Sequence, residues 1–269
     1  MEQPMKASLS RRTFLAGSAV AAAAAGLSLA GCSGGGDTTS TPSTDAGTTD
    51  PGAAAQGGTL TGACAYTSTN VNPIGNSSAL MLGATWHVFE GLYDLDLHTY
   101  KTYNALAAGD PTKVSDTEYE VALRDGAKFS DGTDVTVADV VNALEVNMAD
   151  ATCGAFLSFI DSVAEKDDKT VTIKLKYPFA LLKDRLTVAK VFPASLTEDQ
   201  LKTMPIGSGP WMYESVNGDD GGTIKFVPNP NYEGQYKPTA DAMEWNILLD
   251  GTARTTALQE ATVQVMENV

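Results

Sequence analysis

Three segments of the chain alternate apolar with polar residues, which is the two-residue period of a β-strand with one buried face. The alternation covers residues 118–124, 171–177 and 245–249. The second segment follows Asp167-Asp168-Lys169, a polar run typical of a tight turn. The pattern therefore predicts three short strands.

A longer period lies between Val137 and Met148, where apolar residues recur every three or four positions. This spacing places them on one face of an α-helix. Thr136 and Asp139 have the spacing of a capping box, in which each side chain bonds to the backbone N–H of the other residue. We predict a helix that begins directly after Thr136.

Two further helices are predicted. One runs from about Ser78 to Phe89 and stops at Gly91, a residue suited to a left-handed helix cap. The other follows Gly251 and continues to about Met266. Short strands and scattered helices predict a mixed α/β fold rather than a regular alternation of strand and helix. No internal repeat is evident in the sequence.

Residues 1–31 have the three-part organisation of an export signal. A basic end with Lys6, Arg11 and Arg12 precedes a short alanine-rich apolar segment and a closing stretch of small residues. Residues 10–15 resemble a twin-arginine signal, and an ordinary secretory signal with two arginines is the alternative. The short, alanine-rich segment favours a cleaved signal over a permanent transmembrane helix.

Leu29-Ala30-Gly31-Cys32 closes this segment and resembles the bacterial lipobox. In that motif the cysteine thiol takes a diacylglyceryl group, and two or more acyl chains hold the protein on a membrane. A buried free cysteine is the alternative. A mature chain starting at Cys32 would carry a formal charge of −17, because residues 1–31 carry a net +2.

Residues 32–57 form a second predicted region. After Cys32 they are rich in Gly, Ser, Thr, Asp, Ala and Pro, and they include no aromatic or large aliphatic side chain. Such a composition cannot bury enough apolar area to offset chain entropy. We therefore predict a disordered tether over residues 32–57 and a folded body over residues 58–269.

The composition excludes several classes of protein. The chain has 33 acidic and 18 basic residues, and the resulting charge of −15 opposes binding to phosphate backbones. Three cysteines and two histidines cannot furnish a disulfide scaffold and leave little for a zinc site. We therefore expect no nucleic-acid partner and no metal.

Sequence motifs of common enzymes are absent as well. The sequence has no G-x-S-x-G elbow, no H-E-x-x-H, no Walker loop and no C-x-x-C. Ser208 lies between two glycines, but Pro210 interrupts the helix that a nucleophile elbow requires. His87 lies within an apolar helical pattern and is expected to be structural. We therefore predict no catalytic residue.

Two other residue types could carry chemistry. The acidic pairs at 167–168 and 219–220 adjoin turn residues, so solvated turns explain them better than calcium binding. Cys64 and Cys153 would face an oxidising exterior, where a disulfide is permitted. A disulfide and two separate buried thiols are both open interpretations for these cysteines.

A series of short motifs runs through the folded body in a fixed order. The motifs are Phe89–Tyr93, Asn104–Ala107, Leu123–Thr133, Thr136–Val141, Ile206–Trp211, Asn229–Tyr232 and Gly251–Arg254. In order and spacing they resemble the peptide/nickel-type (family 5) substrate-binding proteins of bacterial ABC importers.

These motifs are expected to build the structural framework of the fold and not to line its ligand pocket. Gly132 is free to take a positive φ in a tight turn, and Gly207 and Gly209 allow close backbone approach. Arg124 is expected to form a structural ion pair, because the chain is rich in carboxylates.

The resemblance implies an α/β fold: the mixed-sheet first lobe of a two-lobed, periplasmic-binding-protein-like architecture. Family members are about twice as long as this chain, so the second lobe is expected to be absent. In the family, ligand contacts come from the segment after the first strand and from the loop after the capped helix. These segments are here residues 66–72 and 151–158, and the candidate ligand-binding residues in them are Tyr66, Ser68, Asn70 and Phe156.

The function implied is capture of oligopeptides for the permease subunits of an ABC importer. The protein is expected to be a monomer outside the cytoplasm, held on the cell membrane by lipid at Cys32, without a cofactor and without enzymatic activity. The alternative is a truncated, non-transporting fragment or a surface interaction module that reuses the fold.

Overall fold

The computed structural model describes residues 57–268. The predicted export signal, Cys32 and the tether up to residue 56 lie outside the described residues. The strands are β1 (Thr59–Cys64), β2 (Tyr93–Asp96), β3 (Lys101–Asn104), β4 (Thr112–Ser115), β5 (Glu118–Ala122), β6 (Ile160–Glu165), β7 (Thr170–Leu175), β8 (Trp211–Val216), β9 (Thr223–Pro228), β10 (Ala242–Ile247) and β11 (Val265–Met266). The helices are α1 (Ala79–Val88), α2 (Val137–Ala149), α3 (Cys153–Phe156), α4 (Leu182–Leu186), α5 (Glu198–Thr203) and α6 (Gly251–Gln259).

The larger sheet has five strands in the order β11-β1-β10-β9-β8. β1 runs parallel to both of its neighbours, whereas β10, β9 and β8 are antiparallel to one another. Ile224 and Phe226 on β9 are fully buried, and the intervening Lys225 is not, as the two-residue period of a strand requires. The sheet is therefore mixed, which confirms the predicted fold class.

The second sheet is antiparallel, in the order β4-β5-β7-β6, and α2 packs against β6 and β7. The predicted capping box at the start of α2 is confirmed. Thr136 Oγ1 accepts a hydrogen bond from the Asp139 N–H at 3.2 Å, and Asp139 Oδ2 accepts one from the Thr136 N–H at 2.9 Å. Val140 and Leu144 are buried on its inner face. The remaining strands, β2 and β3, form a two-stranded hairpin.

The end of α1 differs from the prediction of a left-handed cap at Gly91, which is wrong. The helix ends at Val88, and Phe89 continues in extended conformation with φ −121°. Gly91 is required for a different reason. A Cβ at this position would lie 2.8 Å from the carbonyl oxygens of both Ala189 and Tyr93. The glycine thus permits close contact between backbone segments.

The predicted length of the last helix is wrong as well. α6 ends at Gln259 instead of continuing to Met266. The chain then turns back, and β11 pairs parallel to β1. The predicted strands are confirmed in position, but they end one or two residues early, so Leu123, Tyr177 and Leu249 lie outside β5, β7 and β10. None of the helices within residues 57–268 is long and apolar enough to span a bilayer.

The predicted roles of three glycines are confirmed. Gly132 has φ +89° in the turn after Phe129. A Cβ on Gly207 would lie 2.0 Å from the Val88 carbonyl oxygen, and a Cβ on Gly209 would lie 2.6 Å from the Val88 carbonyl carbon. The backbone of this glycine motif therefore packs directly on the C-terminal end of α1.

Candidate functional site

A polar groove of about 390 Å³ opens where the chain leaves β1. Its walls consist mainly of hydroxyl and amide side chains. They are Thr67, Ser68, Thr69, Asn70, Asn72, Asn76, Ser77 and Ser78, together with Ile74, Gly75 and Lys202. Lys202 is the only charged residue in this lining, and its ammonium is paired with Glu198 at 2.5 Å. The groove therefore presents neutral donors and acceptors.

The loop that forms this groove is anchored at both sides. The Ser68 N–H donates to the Gly218 carbonyl oxygen, and the Val71 N–H donates to the Lys202 carbonyl oxygen, each at 2.9 Å. The Val71 side chain is fully buried in the core. Position 218 requires glycine, because a Cβ there would lie 2.2 Å from the Ser68 carbonyl oxygen.

Within the loop, asparagine side chains accept hydrogen bonds from backbone N–H groups two residues further on. Asn70 Oδ1 accepts from the Asn72 N–H at 3.1 Å, and Asn72 Oδ1 accepts from the Ile74 N–H at 3.0 Å. Asn76 Oδ1 accepts from the Ser78 N–H at 3.1 Å. These Asx turns hold the loop in place and use only the oxygen of each amide, which leaves the NH₂ groups as donors for a bound molecule.

Three of the four predicted site residues lie together. Ser68 and Asn70 line the groove, and Ser68 Oγ donates to the Asn70 carbonyl oxygen at 2.5 Å. Tyr66 lines an adjoining hollow of about 500 Å³ that shares Thr67, Ser77 and Ser78 with the groove. The Tyr66 hydroxyl accepts from Asn268 Nδ2 at 2.7 Å.

Phe156, the fourth predicted residue, lies elsewhere. It ends α3 and is 48% exposed, and it lines neither the groove nor the adjoining hollow. The Arg185 guanidinium lies 5.9 Å from the centre of its ring. Ligand contact by any of the four residues stays a prediction.

Two buried ion pairs lie near the C-terminal end of α1. Arg124 donates to Glu90 at 3.1 Å, which confirms the structural ion pair expected for this arginine. Lys190 pairs with Asp94, and both side chains are buried. Burial raises the pKa of Glu90 to about 7, although the nearby Arg124 charge offsets part of the effect. Burial likewise raises the pKa of Asp94, with Lys190 opposing it.

The remaining candidate residues occupy structural positions. His87 Nδ1 lies 2.7 Å from the Gly83 carbonyl oxygen, its ring meets Trp245 edge-on, and burial lowers its pKa. Ser208 is fully buried. Cys64 and Cys153 are both free, and burial raises the pKa of Cys64 to about 12. Within residues 57–268, no three His, Cys, Asp or Glu side chains are grouped to hold a metal ion.

Comparison with protein families identifies the chain. The middle region of the bacterial extracellular solute-binding proteins, family 5, matches residues 101–269, which is more than half of the sequence. The chain belongs to family 5 of the bacterial extracellular solute-binding proteins. The resemblance drawn from the sequence motifs is confirmed.

Named relatives of this family 5 protein include the glutathione-binding protein GsiB of Pectobacterium atrosepticum. The two are 28% identical over 213 residues, which is 75% of this chain and 40% of the relative. GsiB of Escherichia coli is also 28% identical, over 73% of this chain and 39% of its own length. The family 5 chain thus spans about two fifths of the length of these relatives.

Solved structures of similar fold include two peptide-binding proteins. The oligopeptide-binding protein AppA of Bacillus subtilis, in complex with a nonapeptide, gives a TM-score of 0.68 at 24% identity. It is covered over 43% of its length, and 77% of this chain is matched. The periplasmic binding protein DppA of Helicobacter pylori, in complex with the peptide STSA, gives a TM-score of 0.70 at 20% identity. This match covers 79% of the present chain and 47% of the DppA chain. The fold of the described residues is that of a periplasmic-binding-protein lobe.

Proposed function

We propose that this family 5 protein is the extracytoplasmic substrate-binding component of an ABC importer and that it captures oligopeptides. The observation that carries the proposal is the polar groove after β1, which combines amide and hydroxyl groups with no unpaired charge in its lining. A peptide backbone offers alternating N–H and C=O groups, and such walls can both donate to and accept from them.

The order of the groove loop supports this assignment. Its backbone is held by Val71, by the Gly218 contact and by the Asx turns, so little conformational entropy would be lost on binding. A fixed row of polar groups is what recognition of an extended main chain requires. GsiB is a glutathione-binding protein by name, and glutathione is itself a small peptide.

The proposal is tested by isothermal titration calorimetry of the purified chain with a mixed library of tri- to pentapeptides. We expect saturable heat with a micromolar midpoint, weakened severalfold by Ser68→Ala. Ser215→Ala is the matched control, because Ser215 is an exposed serine on β8 outside the groove. Absence of saturable heat from a chain that melts cooperatively would exclude peptide capture by these residues.

We further propose that the protein is exported by the twin-arginine route and anchored through lipid on Cys32, with permease subunits as partners and the chain as a monomer. The sequence Leu29-Ala30-Gly31-Cys32 after the apolar segment supports the anchor. Cys32→Ala is expected to move the protein from the membrane to the soluble fraction. Retention of the variant in the membrane would contradict lipid anchoring.

A second candidate function is a surface interaction module that does not transport. It is the alternative that the sequence motifs leave open, and the chain spans about 40% of the GsiB sequence. Transport of labelled peptide into cells that carry the gene, lost on its deletion and restored by the 269-residue chain, would support the importer and contradict the module.

A further inference from the structure

A second cavity, of about 320 Å³, lies at the C-terminal end of α1, and we call it the aromatic cavity. Five large aromatic side chains line it: those of Trp86, Phe89, Tyr103, Tyr232 and Tyr236. It shares no lining residue with the polar groove, which lies at the N-terminal end of the same helix. Because α1 has 10 residues and a helix rises 1.5 Å per residue, about 15 Å of helix separates the two sites.

The rings form a cage rather than a flat patch. Tyr103 and Tyr236 meet edge to face, with their centres 5.3 Å apart. Tyr232 is buried and its hydroxyl accepts from the Tyr236 N–H at 3.4 Å, whereas Tyr236 and Trp86 are partly open to solvent, at 43% and 40% exposure. Aromatic faces carry negative electrostatic potential, so such a cage attracts cations.

Acidic side chains line the aromatic cavity, and their negative charge attracts a cation. Glu90, Asp94 and Asp96 line it, and no Lys or Arg does so among the described residues. Arg124 and Lys190, which lie outside the lining, neutralise Glu90 and Asp94.

Asp96 differs from the other two carboxylates. Its partners are the Tyr236 hydroxyl at 2.9 Å and the backbone N–H groups of His98 and Thr99 at 2.8 and 3.1 Å. Within residues 57–268 it has no basic side chain at ion-pair distance. It therefore contributes a negative charge that no protein cation offsets.

The end of α1 also favours a cation. Trp86 and His87 belong to the last turn of α1, where the helix macrodipole places partial negative charge. The Lys190 ammonium lies 5.9 Å from the centre of the Trp86 ring, and its charge is compensated by Asp94.

From these contacts we infer that the aromatic cavity binds a small organic cation through an ammonium or guanidinium group. Its volume accommodates about ten water-sized groups, which suits an amine of low molecular mass rather than a polymer. The rings supply cation–π contacts, and Asp96 supplies the counter-charge. The site is separate from the polar groove and does not depend on what binds there.

The test is a titration of the full chain with tetramethylammonium chloride and with butylammonium chloride at constant ionic strength. The indole N–H signals of the three tryptophans, observed by NMR, give a separate readout for Trp86. We expect the Trp86 signal to shift saturably, with Trp211 and Trp245 unchanged. tert-Butanol, a neutral compound of similar size, is expected to leave all three signals in place.

Asp96→Asn and Tyr236→Leu are the diagnostic variants, each expected to weaken binding about fivefold or more. Glu145→Gln removes an equal charge from an exposed position on α2 and is expected to bind as the parent chain does. Equal binding by Asp96→Asn and the parent, an equal response to tert-butanol, or no shift of Trp86 would each overturn the inference. If Tyr236→Leu unfolds, Asp96→Asn decides, because asparagine preserves the shape of the carboxylate.

Discussion

Replacement of Gly207 by alanine tests how tightly the glycine motif packs on α1. The new Cβ would lie 2.0 Å from the Val88 carbonyl oxygen and 3.0 Å from the Phe89 ring. Ordinary contact begins near 3.4 Å, so one backbone segment must move by about 1.4 Å. That movement also strains the 2.9 Å hydrogen bond from the Gly209 N–H to the Val88 carbonyl oxygen.

The size of the effect follows from these two contributions. Overpacking costs about 1–3 kcal/mol and a weakened hydrogen bond about 0.5–1.5 kcal/mol, so we expect Gly207→Ala to lower the free energy of unfolding by about 3 kcal/mol. For a domain of this size that corresponds to a fall in melting temperature of about 6–12 °C.

The assay is thermal unfolding followed by circular dichroism, with Gly109→Ala as the control. A Cβ at Gly109 would have no neighbouring atom within 4 Å, and the φ of this residue is not in the left-handed region. Its replacement is expected to be neutral or slightly stabilising, because alanine restricts the unfolded chain. If the two variants melt at the same temperature, the close contact at Gly207 does not constrain the fold.

Three further predictions concern ionisable groups. Asp94→Asn leaves the buried Lys190 charge uncompensated and should lower the free energy of unfolding in urea by about 3–5 kcal/mol; an unchanged midpoint would contradict burial of the pair. Burial raises the pKa of Glu90 from 4.5 to about 7, so the folded state binds this proton more tightly than the unfolded state does. The stabilisation from protonated Glu90 is therefore present below about pH 4.5 and is lost as the pH rises towards 7. Glu90→Gln should flatten that part of the pH–stability profile. A slope identical to that of the parent chain would refute the raised pKa. Cys153 is partly exposed and Cys64 is buried, so a thiol reagent followed by peptide mass mapping should label Cys153 faster, and equal rates would place Cys64 at the surface.

Local patterns predicted the local structure well. The Thr136 capping box and the alternation at Val121 and Val171 are properties of a few adjacent residues, and the structure contains each of them. The errors arose where distant backbone decides the outcome. Gly91 is a glycine because Ala189 approaches it, and Val265 is in a strand because β1 is available for pairing. Neither partner is identifiable from neighbouring sequence.

The two candidate sites differ in the same respect: one is formed by a single segment and the other by distant segments. Ser68 and Asn70 lie two residues apart on one loop, so the resemblance of a single segment to the family was enough to name both. The aromatic cavity could not be predicted, because Trp86, Tyr103 and Tyr236 come from three separated segments. The one available signal was tyrosine next to an acidic residue, as at Tyr93-Asp94 and Tyr232-Glu233, and such pairs are too common to indicate a site.

The position of β1 governs when the protein can fold. Both of its neighbours, β10 and β11, come from the far end of the sequence, about 180 and 200 residues later. β1 must therefore wait until residues 242–266 have been made before its hydrogen bonds to these strands can form. Such long-range pairing makes folding slow, so a chain under synthesis spends an extended interval with β1 unpaired.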